Sequence, residues 1–246
     1  MLPALSEGPD ISEFRISQAT QQVLRSRGYN VLFPIQANTY DHIYDGKDVI
    51  GRALTGSGKT LSFVLPVVER LQEQIKDARP AYGRLPSVIC LSPTRELARQ
   101  IAKDFDEIGK RLSTICIYGG SPYGPQEGAL RRGVDVVVGT PGRVMDHIQR
   151  GTLRLSEVKY VILDEADEML NIGFKDDVDE ILSGAPEPGK RQTLLFSATI
   201  PPWVQSIANQ HMRKEETVTV DLVGKLILQI SINLTANANA QYLIRS

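Results

Sequence analysis

The stretch Ala53-Leu54-Thr55-Gly56-Ser57-Gly58-Lys59-Thr60 lies between an apolar strand-like run, 48–53, and a helical run from Leu61 to Glu73. It reads as a phosphate-binding loop. Two glycines let successive backbone N–H groups turn toward one anion. Lys59 supplies a point charge for β- and γ-phosphates, and Thr60 supplies a hydroxyl for Mg²⁺. The loop precedes a helix, whose N-terminal dipole favours phosphate. Ala53 stands where the strict pattern has glycine.

A second segment complements the first. Tyr160-Val161-Ile162-Leu163 is a buried-strand run, and Asp164-Glu165-Ala166-Asp167 follows it. A carboxylate at the end of a neighbouring strand suits a second Mg²⁺ contact, which falls to Asp164. Glu165 is then placed to orient or deprotonate an attacking water. The same acids also suit the start of a helix; beside the phosphate loop, hydrolysis is the stronger reading.

Strand-like runs occur at 48–53, 87–92, 113–118, 134–139, 159–163, 192–197 and 217–222. Helical patterns occur at 17–27, 35–44, 59–76, 95–111, 124–132, 142–149, 166–183 and 202–212. This alternation predicts an α/β fold, a parallel sheet sandwiched by helices. Such sheets bind ligands at the carboxyl ends of their strands. The phosphate loop, Pro93-Thr94-Arg95, Thr140-Pro141-Gly142-Arg143, Asp164 and Ser197-Ala198-Thr199 all follow strand runs, so they are expected on one edge.

The chain has 246 residues, 28 Lys plus Arg and 29 Asp plus Glu. The near-zero net charge gives no global basic footprint, so any nucleic-acid surface must be local. Cys90 and Cys116 read as core residues, and neither they nor the three histidines have metal-site spacing. No signal peptide or spanning segment is evident, which predicts an intracellular, reducing compartment. Residues 1–10 read as a loose segment and 77–87 as a polar loop.

In order along the chain stand Pro34-Ile35-Gln36, the phosphate loop, Pro93-Thr94-Arg95-Glu96-Leu97-Ala98, Gly119-Gly120, Thr140-Pro141-Gly142-Arg143, Asp164-Glu165-Ala166-Asp167 and Ser197-Ala198-Thr199. These seven motifs resemble those of the first RecA-like domain of DEAD-box ATP-dependent RNA helicases. The resemblance covers roughly 11–224, with the glutamine motif in 11–40, and 225–246 reads as a divergent tail. Leu32-Phe33-Pro34-Ile35-Gln36, Tyr118 to Gly124 and Val220 to Gly224 look most like the nucleolar, or Gu, branch.

The resemblance implies a single RecA-like P-loop domain using ATP and Mg²⁺. Gln36 would read the adenine edge, since its amide offers both donor and acceptor. Ile11 takes the place of the aromatic that stacks on adenine, with Phe14 three residues on. Pro93, Thr94, Arg95, Gly120, Thr140, Gly142 and Arg143 would contact the RNA backbone without reading bases. Thr140-Pro141-Gly142 also suits a plain helix start. Ser197 and Thr199 would couple ATP state to the RNA site, or cap a helix. A nucleolar, ribosomal-RNA role follows from the branch, with cytoplasm or an organelle as the alternative compartments; a monomer is expected, with protein partners unknown. Motifs of a second RecA-like domain, with its arginine fingers, are absent from these residues. The expectation is therefore weak hydrolysis by the chain alone; the alternative is a non-catalytic half-helicase that binds nucleotide, RNA or a protein without turnover.

Overall fold

Val136, Val137, Val138, Val161, Ile162 and Leu163 are all fully buried, as residues of strands covered on both faces must be. The computed structural model describes residues 8–75 and 80–223. Within them seven strands form one sheet: β1 (Asp48–Arg52), β2 (Val88–Leu91), β3 (Thr114–Ile117), β4 (Val136–Gly139), β5 (Tyr160–Leu163), β6 (Gln192–Ser197) and β7 (Thr217–Asp221). Their order is β3-β4-β2-β5-β6-β1-β7, and every pairing is parallel. All seven predicted strands are present, each shortened by at most two residues.

The helices are α1 (Gln18–Ser26), α2 (Pro34–Tyr44), α3 (Lys59–Gln74), α4 (Arg95–Ile108), α5 (Tyr123–Arg132), α6 (Pro141–Gln149), α7 (Ala166–Ile172), α8 (Lys175–Gly184) and α9 (Pro202–His211). They divide the core by strand alternation. Tyr160, Ile162, Leu194 and Phe196 face a cluster with residues of α1 to α4. Val161, Leu163 and Leu195 face a second cluster with residues of α6 to α9. The sheet is thus sandwiched between two helical layers.

Two expectations change. The helical pattern 166–183 is two helices, because Gly173 takes φ 93° and ends α7. The Gly173 and Phe174 N–H groups return to the Leu170 and Met169 carbonyls, the hydrogen-bonding of a glycine-terminated helix. At the N-terminus, residues 1–7 lie outside the described residues, but 8–10 are tied down. The Leu32 N–H donates to the Pro9 carbonyl, and Asp10 bridges Val31. Asp10 also caps a short 3₁₀ turn, Ile11–Glu13. The whole 225–246 tail reading and part of the 77–87 loop reading fall outside the described residues.

Candidate functional site

The carboxyl ends of β1 to β6 each lead into a motif. The loop after β1 returns to the sheet through the Ala53 N–H, which donates to the Ser197 carbonyl of β6 at 3.2 Å. Ala53 is 1% exposed, so a small residue is required there. Gly56 and Gly58 have φ of 81° and 86°, in the left-handed region. Gly58 is the N-cap of α3. Lys59 is buried, and its Nζ donates to the Ala53 carbonyl at 2.8 Å. The ammonium thus spans the loop from its last turn to its first residue. Ser57 Oγ is buried with no hydrogen-bond partner among the described residues. Leu54 lies half exposed on the loop, and Thr55 is exposed.

Gln36 sits against this loop. Its Nε2 donates to the Gly58 carbonyl at 2.9 Å, and its Oε1 accepts from the Phe33 N–H at 2.8 Å. It is 4% exposed. One amide hydrogen and one lone pair remain beyond these bonds. Gln36 therefore joins the segment before α2 to the loop, a role that its motif alone does not reveal. Ile11 is corrected outright: it is fully buried in the core and offers no face to a base. Phe14 is half-buried and meets Tyr40 edge-on, with ring centroids 5.3 Å apart.

This contact makes Gly58 sensitive. A Cβ there would fall 2.5 Å from Gln36 Nε2 and 2.8 Å from Phe33 Cδ2. The left-handed backbone adds about 1–2 kcal/mol of strain for any other residue. Gly58→Ala is expected to weaken binding of a fluorescent ATP analogue by about tenfold or more. Unchanged affinity would show that the loop does not depend on this turn.

Asp164, one residue beyond β5, is 2% exposed. Its Oδ1 accepts from the Glu165 N–H at 3.0 Å. Burial pushes its carboxyl up to about 7, opposed by the charge of Lys59 and reinforced by Glu165. Glu165 occupies the N-cap position of α7 with φ 51° and no side-chain cap bond, and it is the non-glycine residue with positive φ among those described. Such strain in a residue with a β-carbon is an independent mark of a functional position.

Asp167 was not singled out by its sequence, although it belongs to the same acidic quartet. Its Oδ2 accepts from the Thr199 hydroxyl at 2.7 Å and from the Thr199 N–H at 2.8 Å. Its own N–H donates to Ser197 Oγ at 3.2 Å. The acidic motif and the Ser197-Ala198-Thr199 motif are thereby one hydrogen-bonded unit. These bonds to Thr199 and Ser197 outweigh burial and hold the Asp167 carboxyl below its usual range.

The remaining motifs form a groove. Pro93, Thr94, Arg95, Gly119, Thr140, Gly142 and Arg143 line an open cavity of about 610 Å³, together with Glu96 and Phe174. Thr94 Oγ1 caps α4 by accepting from the Leu97 N–H, whereas Thr140 starts α6 without a side-chain cap bond. Arg95 is exposed, and its guanidinium lies against Gly120. Arg143 is largely buried. Its Nη1 donates to the Ser121 carbonyl at 2.8 Å, and its guanidinium lies 4.1 Å from the Tyr123 ring centroid. Arg143 therefore holds the wall of the groove as well as lining it. Phe174 owes its place to the unforeseen break between α7 and α8.

Residues 33–207 match the DEAD/DEAH box helicase family model. Over 236 residues the chain is 48% identical to nucleolar RNA helicase 2 of Rattus norvegicus, covering 95% of this chain and 30% of that protein. It is 53% identical over 218 residues to DEAD-box ATP-dependent RNA helicase 7 of Arabidopsis thaliana, covering 87% of this chain and 32% of that protein. The chain spans about a third of the length of these relatives. The fold resembles the crystal structure of a DEAD box protein from the hyperthermophile Methanococcus jannaschii, with TM-score 0.76 and 38% identity, covering 86% of this chain and 55% of that one. The expected resemblance to the nucleolar branch is met by these likenesses. Loop, acidic quartet, groove and matched sequence agree: the chain belongs to the DEAD/DEAH box helicase family.

Proposed function

We propose that this chain is the ATP- and RNA-binding part of an ATP-dependent RNA helicase, hydrolysing ATP to drive local duplex opening or remodelling of RNA–protein complexes. The observation that carries this reading is the shared edge. A phosphate loop, a strained glutamate and a groove lined by Thr94, Arg95, Thr140 and Arg143 follow adjoining strands of one sheet.

In this reading Lys59 leaves the Ala53 carbonyl for the β- and γ-phosphates, and the loop N–H groups from Gly56 to Thr60 cradle them. The spare donor and acceptor of Gln36 meet the adenine edge. Thr60 and Asp164 fit Mg²⁺. Both are hard oxygen donors, and Asp164 is a buried carboxylate whose charge is poorly compensated by the chain itself. When bound, Mg²⁺ neutralises charge on the transferred phosphoryl group. Glu165 orients water and accepts its proton. Asp167 carries the consequence to Ser197 and Thr199.

Backbone recognition makes RNA binding largely independent of sequence. The likeness to nucleolar RNA helicase 2 supports a nucleolar role in ribosomal RNA maturation. No helix among the described residues is long and apolar enough to cross a membrane. Single-turnover ATP hydrolysis with and without single-stranded RNA tests the reading, and stimulation by RNA is expected. Failure to bind either ligand would overturn it.

Arg95 separates the two ligands. Arg95→Ala is expected to weaken oligonucleotide binding about tenfold for any base sequence, as loss of one charged hydrogen bond does. The salt dependence should fall by about 0.7 in log–log slope, the value for one single-strand phosphate contact. ATP affinity should not change. A sequence-dependent loss would instead give Arg95 a role in reading bases.

A further inference from the structure

The opposite edge of the sheet, where the strands begin, carries a cleft of about 280 Å³. Lys159 precedes β5, Arg191 precedes β6, Lys190 lies beside it, and Arg213 follows α9. Gly46 and Gly189 supply open backbone at its rim, and no carboxylate lines it among the described residues.

One buried charge beneath this cleft, that of Arg191, is unbalanced among the described residues. Arg191 is 4% exposed, yet its guanidinium has no carboxylate in hydrogen-bonding reach among the described residues. Its Nη1 donates to the Leu182 carbonyl at 2.7 Å, and its Nη2 meets His211 Nδ1 at 3.4 Å. Both partners are neutral groups, and its Nε is buried with none. Asp48 is the carboxylate whose field reaches Arg191, but its oxygens are taken. Oδ1 accepts from the Thr193 N–H and from Arg213 Nη2, and Oδ2 accepts from the Arg213 N–H. Arg213 has a second partner in the exposed Glu216, whose Oε2 accepts from Arg213 Nη1 at 2.5 Å, so Arg191 is the guanidinium left without a paired carboxylate among the described residues. Burial lowers the Arg191 guanidinium from its ordinary range, although arginine remains charged at any physiological pH. At the surface, Lys159 has the amide oxygen of Gln74 as its side-chain partner among the described residues, and Lys190 has an exposed partner in Glu187. A buried cation without a counter-charge is costly and attracts an anion strongly through low dielectric.

We propose that Lys159, Lys190, Arg191 and Arg213 form a second phosphate-binding site at the amino-terminal edge of the sheet. It takes a phosphate group, either free or in the backbone of an RNA strand that extends beyond the groove. The site does not rest on the ATP reading, because the phosphate loop lies at the other end of the same strands.

The test is an NMR titration of the ¹⁵N-labelled chain with inorganic phosphate at constant ionic strength, and then with oligouridine. The amides of Gly46, Gly189 and Lys190 report this site, while those of Gly56 and Gly58 report the phosphate loop separately. Saturable shifts at Gly46 and Gly189 are expected with phosphate. The surface pair Lys159→Ala with Lys190→Ala should weaken them about fivefold, and Arg191→Met should weaken them further. If Arg191→Met does not fold, the lysine pair decides alone. Shifts with oligouridine that the lysine pair also weakens identify RNA as the source, and shifts with phosphate only identify a small anion. Absent or non-saturating shifts, or shifts unchanged in the lysine pair, overturn the site, whatever Gly56 and Gly58 report.

Discussion

Replacing Glu165 by glutamine is expected to lower single-turnover ATP hydrolysis by about 10²–10⁴, the contribution of a positioned general base. Nucleotide and RNA affinities should stay within a few-fold of the parent chain. The substitution keeps size and backbone. Glu165 sits at φ 51°, and its carbonyl accepts from the N–H groups of Glu168 and Met169, so the turn into α7 is held by main-chain bonds. Its carboxylate makes no hydrogen bond or ion pair among the described residues, and an amide there disturbs no existing contact. A structural glutamate would predict a change in stability and none in the chemical step. A capping glutamate is already excluded by geometry, because its side chain makes no cap bond. Measurement with protein in excess over ATP isolates the chemical step from product release. A rate within about tenfold of the parent would remove Glu165 from the role of base.

Much of this site was legible because it is written in local patterns. Gly-x-Gly-Lys-Thr needs little besides a strand before it and a helix after it, and β1 and α3 supply both. Near-continuous apolar runs such as Val136 to Val138 reveal strands buried on both faces, so the sheet could be read strand by strand. What could not be read was long-range pairing. Asp167 binds Thr199 across 32 positions, and Gln36 binds Gly58 across 22. Nothing in either segment encodes its partner. Ile11 was misassigned for a similar reason: its motif position suggested a base, but core packing claimed the side chain. The break at Gly173 was visible as a glycine within a helical pattern, yet periodicity on both sides masked it. Arg191 shows the reverse limit, since a surface-typical residue gives no hint of its burial.

Asp164→Asn is expected to stabilise the metal-free chain above neutral pH while abolishing Mg²⁺-dependent nucleotide binding. The Asp164 carboxyl is raised from 3.8 to about 7 because burial opposes its charge. Between those values the folded chain holds a proton that the unfolded chain has released. Folding therefore binds protons in this window, and stability falls as pH rises from about 4 through about 7. Above that range the folded chain carries the buried charge at a cost of up to about 4 kcal/mol. Asparagine is neutral throughout, and its amide oxygen can still accept from the Glu165 N–H. The variant's thermal midpoint should match the parent's near pH 4 and exceed it by about 5–10 °C at pH 8. Carboxylates remote from Asp164, such as the buried Asp104, titrate alike in both chains and drop out of the difference. Adding Mg²⁺ and ATP should reverse the order, because a cation compensates Asp164 and gives the parent a ligand that the variant cannot hold. Parallel midpoints from pH 4 to pH 8 would show that Asp164 is already compensated by Lys59. The buried carboxylate would then be an ordinary structural ion pair, and its charge would cost the fold nothing.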